Sequence, residues 1–176
     1  MKDSLDMRYA AALFSLAKEN DKVASYQKQI KEVGAILDAN RDLYALFNSA
    51  FINKSERLNI ASRIFNGYDQ DIINFIKVLI NNHRLNNYRL IFSTFNSLAN
   101  EELNIIEGII YSTTKLEDKK ILEIENALYQ KKKKKVMLTN RIDPSLIGGI
   151  KVIIDNHIYD YSVQNELNLM HSKLVS

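Results

Sequence analysis

The sequence predicts a mainly α fold: an N-terminal six-helix bundle over residues 1–104, then a small C-terminal α/β domain over 105–176. Two observations predict it. Through the first hundred residues, apolar side chains recur at i, i+3, i+4 and i+7 with short breaks, as in neighbouring antiparallel helices. Near Leu103 the period changes, and β-branched runs and turn residues take over, including the adjacent glycines Gly148-Gly149.

A chain of 176 residues can bury a sizeable core as one domain or two small ones. No apolar run approaches the roughly 20 residues that span a bilayer. The most apolar stretch, Ile72 to Ile80, is interrupted by Asn74 and Lys77. The opening MKDSLDMRYAAALF carries Asp3 and Asp6 and reads as neither a signal nor a transit peptide. With no cysteine, disulfides and thiolate metal sites are excluded. A net charge of +3 is too small to point to nucleic acid. Its distribution is uneven, with eight lysines against four acids from Lys115 to Lys135.

In order, the first helix is expected from a cap at Ser4 or Asp6 to about Ala17, with Ala10, Leu13, Phe14 and Ala17 facing in. Tyr9, Ala12 and Leu16 make its other side apolar too, so this helix is either fully buried or shared with a partner. The second, Lys22 to Leu37, has a stripe of Val23, Tyr26, Ile30, Val33 and Leu37. Gly34 inside it costs about 1 kcal/mol against Ala unless a neighbouring backbone packs close. A short helix follows at Leu43 to Phe47. Asn53-x-x-Glu56 suggests a capping box for a fourth, with Leu58, Ala61, Ile64 and Phe65 inward and Asn66-Gly67 as its stop. The fifth begins near Asp69 or Asp71 and is again apolar nearly all round: Ile72, Ile76, Leu79 and Ile80 on one side, Phe75 and Val78 on another. Asn86 opens the sixth, carrying Leu90, Phe95 and Leu98.

The second part starts with a strand, Ile105 to Thr114, in which Glu107 and Gly108 argue against its being central and flat. A helix over Lys115 to Gln130 places Leu122, Glu125, Leu128 and Tyr129 at helical spacing. The run Lys131 to Lys135 suits a helix end, where cations complement the dipole. A basic nucleic-acid-binding surface is the alternative function, but no aromatic residues interleave with the lysines for stacking. A strand from Val136 to Ile142 leads to the turn Asp143-Pro144, where proline fixes φ and the aspartate can bond amides ahead of it. Gly148-Gly149 suggests positive φ or close backbone approach. Ile150 to Ile154 and His157 to Tyr159 then pair as a hairpin across Asp155-Asn156. A last helix, Ser162 to Leu174, is expected to turn Val163, Leu167, Met170 and Leu174 inward.

Motifs for chemistry are absent. There is no phosphate-binding loop, His83, His157 and His171 lack ligand spacing, and Ser15-x-x-Lys18 lacks the companion motifs of a Ser/Lys nucleophile. No cofactor, metal or catalytic residue is assigned, and the chain reads as a non-enzyme.

The stretch Ile142-Asp143-Pro144-Ser145-Leu146-Ile147-Gly148-Gly149, followed by a strand, a two-residue turn and Ile158-Tyr159-Asp160-x-Ser162-Val163, resembles the C-terminal signature of the δ-subunit family of F-type ATP synthases. The mitochondrial counterpart is the oligomycin-sensitivity-conferring protein. Asp143, Pro144, Leu146, Gly148, Gly149, Asp160 and Ser162 carry that signature. Arg8-Tyr9-Ala10-Ala11-Ala12-Leu13-Phe14 resembles the family's opening, and Asn74 to Leu85 its fifth helix, with His83 where glycine is common. Tyr161 and Asn165-Glu166 depart from the pattern, which has a small residue and basic residues there.

The resemblance implies a non-catalytic stator subunit of the peripheral stalk, one copy per complex, that resists rotor torque during proton-driven ATP synthesis. It implies a groove between the first and fifth helices for the N-terminal helix of an α subunit, near Tyr9, Ala12, Leu13, Asn74, Phe75 and Val78. The C-terminal domain would bind the C-terminal ends of the b subunits. Location would be the cytoplasmic side of a bacterial inner membrane, peripheral, without nucleic acid. The two helices that periodicity makes apolar on both sides are the two the family uses.

Overall fold

A computed structural model describes residues 3–49, 51–155 and 157–175, with side chains described from 5 to 172. The chain forms two compact units, Met1–Ala99 and Asn100–Ser176. Among the described residues no helix is long and apolar enough to cross a membrane.

The first unit holds α1 (Asp3–Glu19), α2 (Val23–Ala39), α3 (Arg41–Asn48), α4 (Lys54–Ile64), α5 (Gln70–Asn81) and most of α6 (Tyr88–Glu102), with a 3-10 turn at Leu85–Asn87. The α2 stripe is as predicted: Val23, Tyr26, Ile30, Val33 and Leu37 are all buried. In α5, Ile72, Ile76, Leu79 and Ile80 are buried, and the Asp69 carboxylate caps the helix through the Asp71 amide at 3.3 Å. Gly34 opposes the Phe92 ring, which a Cβ would meet at 3.4 Å; no backbone packs against it. His83, at the position where the family favours glycine, has φ of 53° in the left-handed region. There the Arg84 amide bonds the Leu79 carbonyl at 2.8 Å, closing α5 in the manner that usually recruits glycine.

Several sequence expectations change here. Asp6 lies inside α1 rather than capping it: it is 1% exposed, accepts from Asn87 Nδ2 at 2.7 Å and lies 3.9 Å from Arg84. The Ser4 side chain lies outside the described residues. Asn53 stands at the N-cap of α4, but neither side-chain bond of a capping box forms with Glu56 exposed. On α4, Ala61 and Phe65 are buried and Leu58 half-buried, whereas Ile64 is exposed. Arg57 is buried instead, because its guanidinium donates to the Phe47 carbonyl at 3.1 Å and so satisfies the last turn of α3. The inner face of α6 is Tyr88, Ile91, Phe92, Phe95 and Ala99; Leu98 is half-buried and Leu90 exposed.

The second unit is a four-stranded sheet ordered β2-β1-β3-β4, from β1 (Ile105–Ser112), β2 (Lys135–Ile142), β3 (Gly149–Ile154) and β4 (His157–Ser162). β1 runs parallel to β2 across α7 (Asp118–Lys132) and antiparallel to β3, and β3-β4 is the predicted hairpin. Asn156 of its turn lies outside the described residues. One face packs on α7, where Ile110, Val136, Val152 and Ile154 meet Leu128 and Ile124. The helix starts later than expected, and Leu122 and Tyr129 point to solvent. Glu125 turns inward and accepts from the Leu138 amide at 2.6 Å. β1 is interior, so Glu107 and Gly108 do not keep it from a central place. Glycine is needed there because side chains from both neighbouring strands occupy its space: a Cβ at Gly108 would collide with Ile154 Cγ2, lie 2.8 Å from the Ile153 carbonyl and 3.0 Å from Leu138. α8 (Val163–Val175) closes the unit, but Val163, Leu167 and Met170 are exposed rather than inward, because no second layer covers them among the described residues of the unit. The Leu174 side chain lies outside the described residues.

Candidate functional site

Two polar clamps hold α1 beside α5. At one end Asn82 Nδ2 donates to Tyr9 Oη at 3.1 Å. At the other, Asn20 Nδ2 donates to Asp71 Oδ2 at 3.0 Å, and Tyr26 Oη donates to the same oxygen at 2.5 Å. Burial and this carboxylate push the Tyr26 phenol up to about 12. Nearby, Lys22 reaches Asp69 at 2.6 Å; that hydrogen bond holds the Asp69 carboxyl below its usual range. Eleven residues separate the clamps on each helix, so the two run antiparallel over about 16 Å, roughly three turns.

Between the clamps, Ala12 is exposed, Leu16 half-buried and Val78 43% exposed, while Phe75 keeps 9% of its surface. Asn74 is exposed and accepts from Gln70 at 3.0 Å. Leu13, by contrast, is 2% exposed: it belongs to the bundle core and has almost no surface to offer a partner. Sequence reasoning missed Asn82, Asn20 and Asp71, whose pairings join residues 51 or 73 apart and leave no local signal.

The C-terminal signature builds a frame. Asp143 Oδ1 accepts from the amide and hydroxyl of Ser145 at 3.0 and 2.6 Å. Asp160 Oδ1 does the same for Ser162, also at 3.0 and 2.6 Å. In both aspartates these bonds lower the carboxyl pKa. Ser162 Oγ then accepts from the Asn165 amide at 3.2 Å and caps α8. Pro144 opens a 3-10 turn, Leu146 is buried beneath it, and Gly149 takes φ of 78°. A Cβ on Gly149 would strike the Tyr161 carbonyl, and one on Gly148 would lie 3.0 Å from Val163. These residues therefore fix the hairpin and the start of α8. Asn165, one of the departures from the family pattern, also bonds the Asp160 carbonyl at 3.2 Å.

Lys131 and Lys132 end α7, Lys133 caps it in the left-handed region, and Lys135 starts β2. Lys132 lies 3.9 Å from Asp155.

The model of the ATP synthase delta (OSCP) subunit family matches residues 5–174. The chain belongs to this family. Among curated relatives, ATP synthase subunit delta of Mycoplasma mobile is 35% identical over 168 residues, 95% of this chain and 93% of that one. Its counterpart in Bacillus cytotoxicus is 31% identical over 169 residues, 96% and 94% of the two chains. A chain of the Toxoplasma gondii mitochondrial ATP synthase hexamer shares the fold, with a TM-score of 0.72 over 98% of both chains at 19% identity. As a family member, the protein is a non-catalytic stator subunit in the peripheral stalk of an F-type ATP synthase, associated with the membrane through the complex.

Proposed function

We propose that the α1/α5 groove receives an amphipathic N-terminal helix of an α subunit, and that the C-terminal unit holds the C-terminal ends of the b subunits. One copy then ties the catalytic head to the stalk on the cytoplasmic side of a bacterial inner membrane and resists the torque of the rotor.

The observation that carries the first contact is the strip of Ala12, Leu16 and Val78 left accessible between two polar clamps, with Phe75 nearly buried beside them. Its length suits three turns of helix presenting apolar residues at i, i+3, i+4 and i+7. A stator works under load, so dissociation must be slow, and a sealed apolar contact serves this better than rim charges. Support for the second contact is the uncovered apolar surface of α8, with Leu167, Leu169 and Met170 all more than half exposed. Two attachments on one chain add avidity when both engage together.

The test is titration with a synthetic peptide of the α-subunit N-terminus, followed by amide NMR. Shifts confined to α1 and α5 are expected. Ala12→Arg should abolish them while the bundle spectrum stays folded; binding that survives in the folded variant refutes the groove assignment.

A further inference from the structure

One charged side chain stands in the apolar seam of α1. Among its described residues, the buried side chains of that helix are Asp6, Ala10, Leu13 and Ala17, spaced i, i+4, i+7 and i+11 on its inner face. Asp6 is as closed to solvent as the rest, at 1% exposed. Its Oδ2 accepts from Asn87 Nδ2 at 2.7 Å, and the Arg84 guanidinium balances the charge from 3.9 Å. Tyr9, one turn further along α1, takes the hydrogen bond from Asn82. All three partners lie between the end of α5 and the start of α6, where His83 makes its left-handed turn and Leu85 is fully buried. This corner therefore holds α1 at two successive turns.

Stability alone does not call for a carboxylate here. Withdrawing a charge from water offsets much of what its pairing returns, and apolar side chains of similar volume often replace buried ion pairs without loss of stability. What a directional polar contact adds is register, as a single buried polar residue does in a helical seam. α1 has need of it: two of its other three buried side chains are alanines, which interlock little with the ridges of a neighbour. A register change of one residue moves a helix by about 1.5 Å and turns it by about 100°. That would take Ala12 and Leu16 off the accessible strip they share with Val78. We propose that Asp6 is a positioning residue of the groove: held by Asn87 and Arg84, it locks α1 in register on the α5–α6 corner. This rests on the reading of the α1/α5 groove as a helix-docking site and adds what fixes its first wall.

The experiment uses the full-length protein and a synthetic peptide of the α-subunit N-terminus. Asp6→Leu fills the site with an apolar side chain, and Asn87 and Arg84, both half-buried, remain in reach of water. Its urea midpoint for residues 1–99 should match or exceed that of the wild type. Peptide affinity should fall about tenfold or more, the loss of one docking anchor, and the Asn82 side-chain amide signal should lose the shift given by Tyr9. The double exchange Asp6→Asn, Asn87→Asp rebuilds the hydrogen bond with donor and acceptor reversed and keeps a carboxylate near Arg84. It should bind within about threefold of the wild type. A folded Asp6→Leu that binds as tightly as the wild type overturns the positioning role and leaves the groove standing. Affinity that falls only in step with the midpoint, with no recovery in the exchange, also overturns it, since Asp6 would then be a stabilising contact and nothing more. If Asp6→Leu does not fold, Asn87→Ala breaks the same bond from the more exposed side and must show the same loss of affinity; binding kept there overturns the role. A wild type whose α1 and α5 signals the peptide leaves unshifted overturns the groove reading itself.

Discussion

Gly108→Ala offers the sharpest check on the architecture of the C-terminal unit, because one methyl group must enter a space that two strands already fill. Its Cβ would collide with the Ile154 methyl and lie 2.8 Å from the Ile153 carbonyl and 3.0 Å from Leu138. Ile154 is 1% exposed and cannot swing aside. The carbonyl belongs to the β3 strand paired with β1, so it cannot withdraw without opening the sheet. Overpacking of this kind costs about 1–3 kcal/mol. Loss of unfolded-chain entropy returns about 0.4–1 kcal/mol. The carbonyl contact places the net destabilisation near 2 kcal/mol, about 8–16 °C in the melting of a unit this size. Gly34→Ala is the matched control. There the new methyl meets only a ring carbon at 3.4 Å in mid-helix, and a gain of about 0.5–1 kcal/mol is expected. Urea titrations read by amide signals from each unit separate the two effects. Gly108→Ala should lower only the transition of residues 100–176, and Gly34→Ala should raise only that of residues 1–99. An unchanged or raised midpoint for the C-terminal unit in Gly108→Ala would refute the interior placement of β1.

Three further outcomes follow from the same geometry. Because the folded Tyr26 phenol titrates near 12 against about 10 unfolded, the folded state holds its proton longer. Stability of the helical unit should therefore decline as pH rises from about 10 towards 12, and Tyr26→Phe should reduce that dependence while the raised phenols of Tyr68 and Tyr88 keep part of it, as followed by tyrosinate absorbance and unfolding. Asp38 is held low by its bonds from Tyr88 and Arg89, and Asp69 by Lys22. Their contributions are complete above the ordinary aspartate value of about 3.9 and fade as pH falls through the lower folded values, so acid titration should show loss only below that range. Ser162→Ala removes the α8 cap and should cost about 1 kcal/mol, visible as faster amide exchange in the first turn of α8 with the sheet unaffected.

Element type was legible in the sequence because helical spacing and turn residues act locally. The α2 stripe and the inner face of α5 emerged residue by residue. What periodicity cannot say is whether a neighbour arrives to cover an apolar face. Ile64 and Leu90 have helical spacing but point to solvent, while Arg57 is buried for the sake of a carbonyl ten residues away. The interior position of β1 depends on Leu138 and Ile154, far along the chain, and Gly108 read locally gave the opposite answer. The surface proposed as a groove depends on both local and distant residues. Apolar excess marked Ala12, Phe75 and Val78, and periodicity turned Leu13 inward, where it lies, although the resemblance set it beside the groove; the clamps come from pairings across the fold.

The position of β1 also sets a problem in time. Both partners of this interior strand are encoded after it, β2 beginning at Lys135 and β3 at Gly149. During synthesis, the segment Ile105-Ile106-Glu107-Gly108-Ile109-Ile110 waits with one edge unpaired until β2 is complete at Ile142 and with the other unpaired until Ile154 has been added. An exposed strand of four isoleucines invites pairing with other nascent chains. Glu107 and Gly108 interrupt it with a charge and a weak strand former, as gatekeepers do. The glycine that makes room for Ile154 in the finished sheet thus also guards the strand before Ile154 exists.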